Sequence, residues 1–126
     1  MTSEELKRRM KKFAIETALL IIDLPYTRVN SKYSDQLIRS SSSPGANYRA
    51  ACRAKSTKDF INKLKIVEEE LDESIYFLEL LLNFNEKFEP RIITLINEAD
   101  ELLAITVASL RTSREKLKRE SKNRKS

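Results

Sequence analysis

The sequence predicts an all-α protein, an up-down-up-down four-helix bundle, and two observations support this prediction. Its 126 residues include one glycine and three prolines, so few turns and long helices are expected. Apolar residues also recur every three or four positions along four stretches, as on the buried side of amphipathic helices. These stretches place helices near 4–24, 31–55, 57–85 and 90–117.

The first helix is predicted to begin after Ser3, with two acids in its first turn where they favour the helix dipole. It ends at Pro25, because a proline ring is not accommodated inside a helix. Its predicted buried stripe is Leu6, Met10, Phe13, Thr17, Leu20, Ile21 and Leu24. A second apolar face is formed by Ile15, Ala18, Leu19 and Ile22. Either this face is buried between subunits, or the helix is a fully buried central one.

The second helix is predicted to begin near Ser31, a favourable N-cap residue. Its middle, 40–46, holds four serines, Pro44 and Gly45, a composition typical of loops. The apolar phase nevertheless continues across it. Periodicity alone is therefore equally compatible with a helix kinked near Pro44 and with a broken one. The predicted inward positions are Tyr33, Leu37, Ser40, Pro44, Tyr48 and Ala51.

The third helix is predicted to begin at Thr57, because Ser56 and Asp59 have the spacing of a helix N-terminal cap. Its main apolar stripe is Phe60, Leu64, Val67, Leu71, Ser74, Ile75, Leu78 and Leu82. The opposite face should be polar in a monomeric bundle, yet it carries Ile66, Phe77, Leu80 and Phe84. A helix that is apolar on two sides is buried on two sides. This pattern predicts a homo-oligomer.

The fourth helix is predicted to open at Pro90, a favoured first-turn residue, and to end near residue 117. Residues 118–126 have nothing to bury and are expected to form a basic, disordered tail. The bundle itself would then span 1–117 as one domain. The stripe of this helix is Ile92, Leu95, Ile96, Ala99, Leu102, Leu103, Thr106 and Leu110.

The net charge of +5 is concentrated near one end of the chain. Residues 111–126 hold eight Lys or Arg against two Glu, a balance of +6, which leaves −1 for the rest. In an up-down-up-down bundle, the start of helix 1 and the end of helix 4 lie at the same end. Basic tails can serve solubility alone, but this placement also suits nucleic acid. The candidate contacts are Lys7, Arg8, Arg9, Lys11, Lys12, Arg111, Arg114, Lys116, Lys118, Arg119, Lys122, Arg124 and Lys125.

The composition argues against an enzyme. The chain has no histidine, so His-dependent triads and His-ligated metal sites are excluded, and one glycine does not build a phosphate loop. We therefore expect no catalytic residue, cofactor or metal. Cys52 is the single cysteine, which indicates a cytoplasmic protein, and the aliphatic run 18–22 is too short to span a membrane.

Arg49 and Arg53 lie four residues apart, on one side of helix 2 and away from its stripe. An antiparallel hairpin about Ser56 would set Arg39 opposite Glu73 and leave Arg49 far from Glu69. Arg49 and Arg53 are thus candidates for a subunit or phosphate contact, with ordinary solvated arginines equally compatible. The predicted subunit interface comprises Ile15, Leu19, Ile22, Arg49, Arg53, Ile66, Glu69, Glu73, Phe77, Leu80 and Phe84.

Three segments carry a resemblance to a known family: Asn47-Tyr48, the run Ser56 to Phe60, and Glu69-Glu-Leu-Asp-Glu-Ser74 with the Tyr-Phe-Leu-Glu-Leu after it. Over roughly residues 13–110 the chain resembles the four-helix-bundle family encoded in intervening sequences of bacterial large-subunit rRNA. That family is related to the accessory protein of diversity-generating retroelements. The resemblance implies a continuous second helix with a kink near Pro44, a ring-like homopentamer and no enzymatic activity. For the retroelement relative it also implies binding to nucleic acid and to a reverse transcriptase.

One departure limits what the resemblance transfers. The commoner motif follows its Asn with aliphatic-Ala-Glu-Gly, whereas this chain has Tyr48-Arg-Ala-Ala51, so the role of the missing acid is not carried over. The sequence thus predicts a non-enzymatic bacterial accessory or scaffold protein that binds RNA or DNA through a basic end, with weak sequence preference. A reverse transcriptase is the protein partner that the resemblance suggests. The alternative is a purely protein-binding helical oligomer.

Overall fold

A computed structural model describes residues 1–125, except for the side chain of Lys125. It confirms the four-helix fold class. Among these residues the four α-helices follow one another with short connections, and a single 3-10 turn, Glu86–Phe88, joins the last two. The helices are α1 (Ser3–Asp23), α2 (Arg28–Cys52), α3 (Thr57–Phe84) and α4 (Glu89–Lys125).

Side-chain caps determine where three of the helices begin. The Thr2 hydroxyl accepts from the Glu5 amide, and the Glu5 carboxylate accepts from the Thr2 amide, which forms a capping box. Ser56 caps α3 as the sequence predicts, by accepting from the Asp59 amide. The predicted start of α2 near Ser31 is wrong by three residues, because Thr27 is the residue that accepts an amide hydrogen bond and caps the helix.

Helix α2 is continuous through Pro44, which excludes the broken alternative. It ends at Cys52, three residues before the predicted end, because Arg53 has left the helical conformation. The small residues around Pro44 allow α1 to approach closely. A Cβ placed on Gly45 would lie 3.6 Å from the Met10 Cβ and 3.8 Å from the Lys11 backbone nitrogen, which is ordinary van der Waals contact.

Replacing Gly45 with Ala is therefore expected to stabilise the protein by about 0.5–1 kcal/mol. The space for one methyl group exists, and alanine removes the entropic cost of a glycine within a helix. Urea denaturation followed by circular dichroism measures the change. Gly45→Leu is the control, because a larger side chain has to displace α1 and should destabilise. A destabilising Gly45→Ala would contradict this packing.

Helix α4 continues to Lys125, eight residues beyond the predicted end near 117, so residues 118–125 form helix and not an irregular tail. Contacts with the rest of the bundle support the extension as far as Glu120. Ser113 is buried and Leu117 is half-buried against the core. One turn later, the Thr57 hydroxyl donates a 2.9 Å hydrogen bond to a carboxylate oxygen of Glu120. The end of α4 is thereby attached to the start of α3.

The four helices form a closed square. Each packs against its two neighbours in chain order, with α4 returning to α1, whereas among the described residues no Cα atoms of the diagonal pairs α1/α3 and α2/α4 come within 8 Å of each other. The predicted stripes of α1, α2 and α4 face the core. In α3 the stripe is shifted: Ile61 and Leu81 are buried, whereas Phe60, Ile75 and Leu82 are half-buried. Because apolar residues lie on more than one side of α3, apolar spacing alone did not identify its buried face correctly.

Two polar contacts set the register of α2 against α3. Near the middle, the Ser74 hydroxyl donates to that of Ser40 at 3.0 Å, inside the core. On the surface beside it, Arg39 pairs with Glu70 and with Glu73. The Arg39–Glu73 opposition was predicted from the hairpin about Ser56 and is confirmed.

A buried pair of asparagines connects α2 to the residue that follows α3. The side-chain amide nitrogen of Asn30 donates to Asn85 at 2.9 Å, and that of Asn85 donates back at 2.8 Å. Each nitrogen also donates to a backbone carbonyl, that of Pro25 for Asn30 and that of Leu81 for Asn85. The pair thus joins both inter-helix connections at this end of the bundle.

Candidate nucleic-acid interface

The candidate interface lies at the end of the bundle opposite the asparagine pair. Helices α1 and α4 are antiparallel, because Arg91 near the start of α4 donates to Asp23 at the end of α1, at 2.8 Å. The contact between Glu120 and Thr57 places the last turns of α4 beside the first turn of α3. The start of α1 and the end of α4 therefore share one end, as the topology predicted.

The N-terminal basic cluster is partly engaged within the fold. Lys7 pairs with Glu4 at 3.0 Å. Arg9 reaches across to α4, where its guanidinium binds Glu98 through Nε at 3.1 Å and Nη2 at 2.5 Å, and Glu101 at 3.1 Å. The hydrogen bonds to Glu98, with that to Glu101, raise the pKa of Arg9 further above its usual value. The exposed basic side chains at this start are Arg8, Lys11 and Lys12.

The C-terminal cluster is exposed along the last turns of α4. Its members project from a regular helix, so their positions are set by the 3.6-residue repeat. The exposed basic residues in this segment are Arg111, Arg114, Lys116, Lys118, Arg119, Lys122 and Arg124. The predicted contact at Lys125 concerns a side chain outside the described part of the structure.

The structure adds a cavity that was not predicted, between the α2–α3 junction and α4, with a volume of about 670 Å³. Three basic residues line it: Lys55 from the junction, and Lys116 and Arg124 from α4. Lys55 was not a candidate, because its proximity to α4 arises from the fold and not from the sequence around it. Beside the cavity, burial and the neighbouring Cys52 raise the pKa of the Tyr48 hydroxyl to about 12.

Aromatic side chains form a partly exposed cluster on the flank of α3 that faces α2. This aromatic patch comprises Tyr33 of α2 with Tyr76, Phe77 and Phe84 of α3. Ring centroids of Tyr33 lie 6.2 Å from those of Phe77 and of Phe84. Phe84 is 59% exposed and Tyr76 is 57% exposed. Among the other apolar residues of the predicted interface, Ile66 is exposed and Leu80 is half-buried.

A second exposed apolar surface, the α1 patch, consists of Ile15, Leu19 and Ile22. The three residues follow a spacing of four and three, so they share one face of the helix. Ile22 is 74% exposed in the single chain. The alternative that α1 is a fully buried central helix is wrong for one subunit. Because α1 and α3 are diagonal, the α1 patch and the aromatic patch lie on different sides of the bundle.

The charged residues of the predicted subunit interface behave differently from one another. Arg49 is exposed on α2, Arg53 is exposed just after the end of that helix, and Glu69 is exposed on α3. Glu73, by contrast, is half-buried and already pairs with Arg39 in the same chain. If Glu73 also bound another subunit, its carboxylate would have to contact that subunit and Arg39 at the same time.

No cluster of three or more potential metal ligands occurs among the described residues. No helix in that part of the chain is both long and apolar enough to cross a membrane. A groove of about 680 Å³ between α1 and α4 is lined by side chains of both charges, among them Lys12, Glu16 and Arg91. This groove offers no concentrated charge of one sign.

Comparisons with known proteins agree with this architecture. The family model described as 23S rRNA-intervening sequence protein matches residues 4–108. A crystal structure of a protein with unknown function from the S23 ribosomal protein family, from Bacteroides thetaiotaomicron, is 31% identical to this chain with a TM-score of 0.76. That match covers 88% of this chain and 99% of the other. Among curated proteins, none matches.

Proposed function

Because this chain belongs to the 23S rRNA-intervening sequence protein family, we propose that it is a non-enzymatic, homo-oligomeric accessory protein that binds RNA or DNA. The observation that carries this proposal is the row of exposed Lys and Arg on the last turns of α4, at the end of the bundle where α1 begins. Most of the remaining chain is close to neutral in charge. A polyanion would therefore be attracted to one end of each subunit.

Such a surface binds phosphates through counterion release. Backbone contacts of this kind position a nucleic acid and carry no sequence information. Weak sequence preference is therefore part of the proposal.

A homo-oligomer would bring the basic ends of several subunits together. The α1 patch and the aromatic patch lie on different sides of the bundle, and large exposed apolar surfaces mark contact sites. If the α1 patch of one subunit packs against the aromatic patch of the next, the contact is head-to-tail, and a rotation that closes generates a ring. The family resemblance suggests five subunits. All basic ends would then lie on one rim.

The second candidate function is a purely protein-binding oligomer. The observation that favours it is the aromatic patch, because exposed aromatic side chains are enriched in protein interfaces. A reverse transcriptase remains the protein partner that the resemblance to the retroelement accessory protein suggests. Under this candidate the basic end would serve solubility.

Salt-dependent binding separates the two functions. The 126-residue chain is compared with a variant lacking 121–126, a deletion that keeps Glu120 and its hydrogen bond to Thr57. Fluorescence anisotropy is measured with a short labelled RNA and its DNA counterpart at several salt concentrations. The deletion removes Lys122, Arg124 and Lys125, so the log–log slope should fall by about 2–3, or about 0.7–0.9 per phosphate.

Two controls accompany this measurement. Light scattering should give the same number of subunits for both proteins, because the deleted residues lie beyond the turn that attaches α4 to α3. A scrambled oligonucleotide should bind as well as the original. Absence of binding at low salt, or equal slopes for the two proteins, would refute nucleic-acid binding through α4 and favour the protein-binding oligomer.

A further inference from the structure

We propose that the cavity between the α2–α3 junction and α4 binds the phosphate groups of an unpaired strand of RNA or DNA, held by Lys55, Lys116 and Arg124. This inference rests on the proposed function and identifies where on the basic end the strand is held. It also specifies the partner, since it favours a single strand over a duplex.

The three basic side chains converge from separate places in the chain. Lys55 precedes the α3 cap, whereas Lys116 and Arg124 lie eight residues apart on α4, about two turns, and so on the same face. Within the described residues, none of the three makes an ion pair, in contrast to Arg9, Arg39 and Arg91, which bind carboxylates across helices. The fold uses the second group for packing and leaves the cavity cations available for an external anion.

The one acid in the cavity is already engaged. Glu120 accepts the hydroxyl hydrogen bond of Thr57, which holds its carboxylate against the first turn of α3. The lining therefore carries three positive charges and one negative charge, the latter fixed in place. The start of α3 adds the positive end of a helix dipole to the same wall. The potential inside favours an anion.

The shape of the cavity favours an unpaired strand. Besides its cations, the lining includes the ring of Phe60 and the small side chains of Ala51 and Ala54. A flexible strand can bend into a recess between helices and place a sugar or base against this apolar wall, in the manner of grooves that combine basic and aromatic side chains. A duplex is stiff on this scale and presents its phosphates on a convex surface. A duplex would therefore contact only the edge of the cavity.

Matched triple variants test the inference. The cavity variant carries Lys55→Gln, Lys116→Gln and Arg124→Gln. The control variant carries Lys58→Gln, Lys118→Gln and Arg119→Gln, three exposed residues that do not line the cavity. Both variants lose three positive charges, so a pure net-charge effect weakens both equally. Binding of a labelled single-stranded RNA, and of the same RNA paired with its complement, is measured by anisotropy over a salt series.

The cavity variant should bind the single strand at least about tenfold more weakly than the wild type. Its slope of log affinity against log salt concentration should fall by about 2, or about 0.7 for each of three phosphates. The control variant should lose far less affinity for the single strand. The two variants should have similar affinities for the duplex. If both variants weaken single-strand binding equally, the cavity inference is wrong while nucleic-acid binding stands. If the cavity variant loses duplex binding to the same extent, the preference for an unpaired strand is wrong.

Failure of the wild type to bind any nucleic acid at low salt would refute both this inference and the proposed function. Circular dichroism and light scattering verify that both variants keep their helicity and mass. Should the triple cavity variant fold poorly, Lys116→Gln against Lys118→Gln repeats the comparison with one exposed side chain each. The same criterion then applies: Lys116→Gln should lower single-strand affinity and slope clearly more than Lys118→Gln does.

Discussion

Replacing Phe84 with Glu should convert the oligomer into monomers that remain helical. In the single chain Phe84 is 59% exposed, so a carboxylate there is solvated and the fold of the subunit is unaffected. In the proposed assembly the same side chain is covered by the next subunit, and an unpaired charge in a buried contact costs about 3–5 kcal/mol. Phe77 is a poorer choice, because its side chain is already half-buried in the single chain. Light scattering with circular dichroism measures mass and helicity together.

The complementary substitution is Ile22→Glu on the α1 patch, at a side chain that is 74% exposed in the subunit. If the contact is head-to-tail, each variant keeps one intact surface. Mixing Phe84→Glu with Ile22→Glu should then give dimers, because the intact aromatic patch of one binds the intact α1 patch of the other. Val107→Glu, at an exposed position of α4 outside both patches, should leave the mass unchanged. A monomeric wild type, or variants with unchanged mass, would refute this interface.

Replacing Asn85 with Ala should destabilise the protein by about 3–5 kcal/mol, an amount characteristic of a broken buried hydrogen-bond network. The substitution removes both hydrogen bonds between Asn30 and Asn85 and the one that Asn85 donates to the Leu81 carbonyl. Both side chains are at most 5% exposed, so water does not replace the lost partners. We expect Tm to fall by about 10 °C or more, measured at fixed protein concentration.

A double-mutant cycle tests whether the two asparagines act as a unit. Asn30→Ala alone should also be severe, and the double variant should cost clearly less than the sum of the single variants, because the second substitution removes a group that the first left unpaired. Asn62→Ala, at an exposed position of α3, is the matched control and should change stability by no more than about 0.5 kcal/mol. Additive effects of Asn30→Ala and Asn85→Ala would contradict coupling through this pair.

Local signals in the sequence were sufficient to predict the helices and most of the core. Apolar spacing identified the buried faces of α1, α2 and α4, and the cap at Ser56 placed the start of α3. The pairing of Arg39 with Glu73 followed from counting residues on both sides of that cap. These features depend on periodicity and on neighbours a few residues away. The start of α2 was misplaced because Thr27 and Ser31, four positions apart, are both residue types that cap helices, and Thr27 is the one that does so.

The amphipathic pattern also indicated which faces lie outside the core. The predicted second faces of α1 and α3 are exposed in the subunit at Ile22 and Phe84, while Phe77 is only half-buried by its own chain. An amphipathic pattern predicts that an apolar side chain is buried, but it does not identify the residues that bury it. Whether the partner is a second subunit is what the Phe84 and Ile22 variants decide.

Contacts between distant parts of the chain came only from the tertiary structure. Arg9 was predicted to face nucleic acid, yet it binds Glu98 and Glu101 on α4. Lys55 drew no attention in the sequence and lies with Lys116 and Arg124 around one cavity. Helical periodicity assigns a residue to a face but not to a partner, because the partner depends on how neighbouring helices are aligned and spaced. The sequence by itself determined the four helices, their buried faces and a basic end; the packing of α4 against α1 and α3 decided which of those charges stabilise the bundle and which surround the cavity.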